Sequence, residues 1–196
     1  MTLHNWSRLS AGALVAFLAL TSAACTPSEP EPTKSTTTQS VGPASSSPTT
    51  ATPTVDPEIA AAEDAILQAY RGYWATKVAI LADPVAEPGT ELETYAVDTA
   101  LTDVYSTVLS YRSAGIKMIG EPVLHPEVTD IVPGAEGTAT ITDCVDVADW
   151  QPVYRDSGDS AAAPGQATDV LRISTAYFYD GRWTIRTSVV DRETPC

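Results

Sequence analysis

Histidine is nearly missing: there are two in 196 residues, and one of them is His4. A histidine-based triad or a His-rich metal centre has almost nothing to be built from. Basic residues are also scarce, 11 against 25 acidic, for a formal charge of −14. Phosphate backbones need a basic surface, so nucleic acid is excluded as a partner. Cysteine is limited to three residues, and Asn5 is the only asparagine. CxxC, HExxH, GxSxG and glycine-rich phosphate-loop patterns are absent. The sequence therefore singles out no catalytic residue, no cofactor and no metal ligand.

What is present begins with an address. Arg8 is the one strong positive charge in the first ten residues, and residues 11–20 form an uncharged apolar run. Thr21-Ser22-Ala23-Ala24 then leads to Cys25. This order predicts a secretory signal peptide over residues 1–24. Its apolar run is too short for a spanning helix, which needs about 20 residues. The run Leu20-Thr21-Ser22-Ala23-Ala24-Cys25 resembles a bacterial lipobox, with Ser22 standing where that motif usually has an aliphatic residue. The resemblance implies that Cys25 is the lipidation site and, after cleavage, the acylated N-terminus. Fatty chains such as palmitate, each buried CH₂ contributing about 0.8 kcal/mol, would hold the protein on the extracytoplasmic face of the cell membrane.

Residues 26–55 contain 9 Thr, 6 Ser and 6 Pro and no aromatic residue. Such a segment buries too little apolar surface to offset its chain entropy, so 25–55 is expected to be a lipidated, disordered tether.

Residues 56–196 carry 23 acidic and 9 basic side chains and are expected to form one domain. Asp56-Pro57 is a helix start. Ile59, Ala62, Ile66, Tyr70, Tyr73, Trp74, Val78 and Leu81 then recur at three- and four-residue steps, an apolar stripe on a helix of about 25 residues. A short helical piece around Leu92 and Tyr95 follows, then a helix capped by Asp98 and stopped at Gly115. Beyond Gly115 the period becomes two. Thr138, Thr140, Thr142 and Cys144 alternate with Ala139, Ile141, Asp143 and Val145, and a second alternation covers residues 170–179. Asp180-Gly181 predicts a hairpin, with Trp183, Ile185, Thr187 and Val189 as the returning strand's apolar face. Helices followed by antiparallel strands give an α+β class, with the sheet expected to curl over the helices.

Four runs in order carry a resemblance: Ala69-Tyr70-Arg71-Gly72-Tyr73-Trp74, Leu109-Ser110-Tyr111-Arg112-Ser113-Ala114-Gly115, Thr142-Asp143-Cys144-Val145-Asp146 and Tyr179-Asp180-Gly181-Arg182-Trp183. Together they resemble a group of secreted actinobacterial lipoproteins similar to the nuclear-transport-factor-2-like (cystatin-like, SnoaL-like) superfamily. The resemblance implies a cone: N-terminal helices packed into a strongly curved antiparallel sheet, often with a pocket between them. It implies no activity, because that fold hosts enzymes, binders and assembly modules.

With Cys25 assigned to lipid, Cys144 and Cys196 remain, and an exported chain suggests a bridge between them. His125, beside Pro126, reads as a surface residue. Asp143, Asp146 and Asp149 repeat every third residue, but 143 and 146 would face opposite sides of one strand, so no cation site is assigned. In the resembled fold Tyr70, Trp74, Tyr105, Asp143, Tyr177 and Trp183 would line the pocket for a small apolar ligand, although aromatics at such spacing ordinarily pack as plain core. The expected function is a membrane-anchored, non-enzymatic binding or assembly module that meets an envelope protein or small apolar ligand outside the cell. The alternative is a small-molecule pocket protein or isomerase-type enzyme. A closed, aromatic-filled interior with no buried unpaired carboxylate favours the first; an open pocket with a buried Asp or Glu facing a tyrosine favours the second.

Overall fold

Asp56 caps the first helix, its side chain accepting from the Glu58 N–H at 2.9 Å, and Pro57 opens it. This computed structural model describes residues 56–196; the expected signal peptide, Cys25 and the tether lie outside the described residues. Helix α1 (Pro57–Ala82) buries Ala62, Ile66, Ala69, Tyr70, Tyr73, Trp74 and Leu81, close to the stripe read from the sequence. A short helix α2 (Leu92–Tyr95) follows, its Tyr95 ring lying against Gly72 of α1, where any Cβ would collide with it. Helix α3 (Asp98–Ala114) ends where Gly115 turns left-handed at φ 69° and ψ 26°. Asp98 does not cap α3 as expected. It is the helix's first residue, at φ 48°, and its carboxylate accepts from Arg186 Nε at 2.7 Å.

Six strands follow: β1 (Ile116–Ile119), β2 (Pro126–Val132), β3 (Thr138–Asp146), β4 (Gln151–Tyr154), β5 (Asp169–Tyr179) and β6 (Arg182–Asp191). Four make an antiparallel sheet in the order β2-β3-β5-β6, while β1 and β4 pair separately. The chain is therefore α+β, but the expected strongly curved cone is not formed: the sheet is open and is not strongly curled. The physical reason lies in the strand pairing. β1 and β4 leave the main sheet as their own ribbon, so no continuous bent surface wraps the helices. Among the described residues no helix is long and apolar enough to cross a membrane.

Alternation decides the two faces of the main sheet. Ala139, Ile141, Asp143 and Val145 of β3 are buried, opposite Ala176, Ser174, Arg172 and Val170 of β5. This face packs with α1 to make the core. Thr140, Thr142 and Cys144 point the other way. On β6 the expected single apolar face is broken. A bulge opposite Thr175 and Ala176 leaves Arg186 as the extra residue, so Trp183, Ile185 and Ser188 are buried while Val189 is exposed.

Cys144 and Cys196 form a disulfide with Cα atoms 5.6 Å apart. Asp191 makes the tail reverse: its Oδ1 accepts from the N–H groups of Glu193 and Thr194 at 2.8 and 3.2 Å. Because Asp191 pairs with Leu171 and Leu171 with Cys144, the tail crosses β5 to reach β3.

Candidate functional site

The interior between α1 and the sheet, where the resemblance implies a pocket, holds a layer of polar groups inside the aromatic core. The β3 alternation turns Asp143 inward, and it is 0% exposed. The Tyr70 hydroxyl donates to its Oδ2 at 2.9 Å, and the His125 backbone N–H donates to its Oδ1 at 2.7 Å. Both carboxyl oxygens are thus satisfied, as a buried acid requires. The Tyr70 hydroxyl is itself pushed up in pKa, chiefly by burial and then by the nearby Asp143 charge. Tyr73 is pushed up by burial too.

Arg172 is the cross-strand neighbour of Asp143. Its Nη1 donates to the Ser188 carbonyl at 2.9 Å and to Ser188 Oγ at 3.2 Å, and Ser174 Oγ donates to Ser188 Oγ at 2.9 Å. The guanidinium carbon also lies 5.2 Å from the centre of the Trp74 ring. Lys77 of α1 brings its ammonium 4.5 Å from the Trp74 ring centre and 5.7 Å from those of Tyr73 and Trp150. These cation–π contacts replace part of the lost hydration. Burial lowers the Lys77 pKa to about 7, helped by repulsion from Arg172 and opposed by Asp103. Arg172 Nε and Trp150 Nε1 find no hydrogen-bond acceptor among the described residues.

The six candidate lining residues separate in space. Tyr70, Trp74 and Asp143 come together in the core, with the Tyr70 and Trp74 rings edge to face at 6.4 Å. Trp183 is buried on β6 with its ring 5.7 Å from that of Phe178. Tyr105 is half-buried on α3 against the core. Tyr177 belongs to the opposite face of the sheet, in register with Thr138 and under the Arg186 guanidinium at 5.6 Å. Sequence reasoning missed Lys77 and Arg172. The signals were there: Lys77 follows Tyr70 by seven and Trp74 by three on the α1 stripe, and Arg172 sits in the inward alternation with Ser174 and Ala176. Among the described residues no group of His, Cys, Asp and Glu is placed to hold a metal ion.

Open space lies on the far side of the sheet. A shallow cleft of about 640 Å³ runs between the start of α3 and the β5–β6 bulge, lined by Asp98, Thr99, Thr102, Thr175, Arg186 and Thr187. A smaller one of about 210 Å³ adjoins it through Thr175 and Arg186 and reaches Tyr177, Thr138 and Asp130.

No protein-family model matches the chain, and no curated protein matches it. Among solved structures, the chain is similar to the intermembrane space region of the chloroplast protein ARC6, at 12% identity and a TM-score of 0.39, over 70% of this chain and 98% of that one.

Proposed function

We propose that this protein is a lipid-anchored lipoprotein on the extracytoplasmic face of the cell membrane, and that residues 56–196 act there as a non-enzymatic binding or assembly module. In this reading residues 1–24 direct export, Cys25 carries the lipid and residues 26–55 give the folded part its reach. The resemblance to nuclear-transport-factor-2-like lipoproteins enters at the level of element order, helices ahead of an antiparallel sheet.

The observation that carries the non-enzymatic half is the packed interior. Tyr70 and Asp143 are 0% exposed and bonded to each other, so the one buried acid among the described residues is spent on structure. A pocket enzyme of the isomerase type needs its carboxylate facing a substrate. The Cys144–Cys196 disulfide supports the extracytoplasmic half, since such bonds persist in oxidising compartments.

The anchoring half is tested by Cys25→Ser in the native host. The variant is expected in the soluble extracytoplasmic fraction, without the palmitate label that the wild type takes up. Wild-type protein that never takes up label, or is found in the cytosol with residues 1–24 uncut, refutes it.

A further inference from the structure

We infer that the clefts on the far face of the sheet form one groove that binds a neutral glycan segment; this deepens the binding-module reading by naming its ligand class. The groove is built by irregularities rather than by regular structure. The β5–β6 bulge throws Arg186 out of the ladder and into the groove. The second register break, on β2 between Thr129 and Val132, brings Asp130 to the other end. Bulges commonly serve to re-aim a side chain at a ligand. Asp98 and Asp130, at φ 48° and 53°, are two of the three non-glycine residues in the left-handed region among the described residues. The third, Asp180, is explained by its hairpin turn. Strain that no turn requires is concentrated at this groove.

The chemistry of the lining selects the ligand. Arg186 uses Nε for Asp98 and leaves both terminal amino groups without a partner among the described residues. Both members of that pair stay more than half exposed, at 54% and 57%. Thr175 and Thr187 pair their hydroxyls at 2.8 Å on the floor, and Thr99 and Thr102 line the wall. The Thr99 and Thr102 hydroxyls donate to the Arg186 and Asp98 carbonyls, so the lining offers guanidinium donors together with carboxylate and hydroxyl acceptors, and the Arg186 guanidinium lies 5.6 Å from the Tyr177 ring centre. A pyranose ring matches this set: vicinal hydroxyls donate and accept, and its C–H face is apolar. A phosphate or uronate does not match, because Arg186 is already neutralised by Asp98, Asp130 adds a further carboxylate, and the whole chain carries −14.

The test is titration of the purified full chain with maltohexaose, cellohexaose and N-acetylchitohexaose, with polygalacturonate as the anionic control, followed by amide NMR shifts. At least one neutral oligosaccharide is expected to shift Thr99, Thr102, Thr175 and Tyr177 at millimolar concentration. Arg186→Gln and, separately, Thr102→Ala, both at exposed positions, should each weaken binding about tenfold with the fold intact. No shift with any neutral oligosaccharide, shifts elsewhere on the protein, binding unchanged in both variants, or binding of polygalacturonate alone would overturn the proposal. None of these readouts depends on Cys25, so they separate the groove from the anchoring claim.

Discussion

Tyr70 and Asp143, 73 residues apart in the chain, are joined by a buried hydrogen bond of 2.9 Å that ties α1 to the middle of the sheet. Tyr70→Phe removes the donor and leaves Asp143 Oδ2 with no partner in an apolar site. The expected loss is about 1–3 kcal/mol in urea unfolding. An unchanged midpoint and slope would show that the bond contributes nothing net.

Lys77 makes stability depend on pH. Its folded pKa of about 7 lies below the ordinary 10.5, so between these values the unfolded chain binds the extra proton. Stability therefore rises with pH across that window, and the burial penalty is full below it. Above about pH 10 the slope turns, because tyrosines ionise in the unfolded chain before buried Tyr70 and Tyr73 do. Thermal melts from pH 6 to pH 9 should show a rising Tm in the wild type and a flat one in Lys77→Met. A parallel rise in both would remove Lys77 as the cause.

Reduction of the Cys144–Cys196 bridge, which spans 52 residues, should cost about 4 kcal/mol in the chain-entropy account. Cys196→Ser should reproduce the loss and become insensitive to dithiothreitol. A wild type that melts identically with and without reductant would contradict this.

Gly120 and Gly115 separate two kinds of glycine requirement. Both have left-handed φ, 72° and 69°, but a Cβ on Gly120 would strike the Asp149 carbonyl, whereas one on Gly115 meets open space. Gly115→Ala should cost about 1–2 kcal/mol from backbone strain alone. Gly120→Ala should cost more, with the Trp150 environment disturbed in near-ultraviolet dichroism. Equal losses would mean that the β3–β4 connection yields freely.

The parts of this fold that follow local periodicity were legible in the sequence. The α1 stripe, the Gly115 stop and the β3 alternation that turns Asp143 inward all rest on spacing within a single element. What was lost depends on partners distant in the chain. β4 is four residues long and includes Pro152, so it has no pattern of its own and exists because β1 lies beside it. The β6 bulge shifts Thr187 and Val189 to the open face, and nothing in Trp183-Thr184-Ile185-Arg186-Thr187 announces one extra residue. The groove was hidden for a like reason, because Arg186 meets Asp98 and Tyr177, residues 88 and 9 positions away, only in the folded sheet.

The packing of α1 has a consequence for synthesis. Its apolar stripe is completed early, yet it packs in one core with Ile185 and Trp183 of β6, the last strand to emerge. During vectorial production α2, α3 and β3 reach the stripe first, and its side toward Ile185 and Trp183 closes only when the last strand arrives.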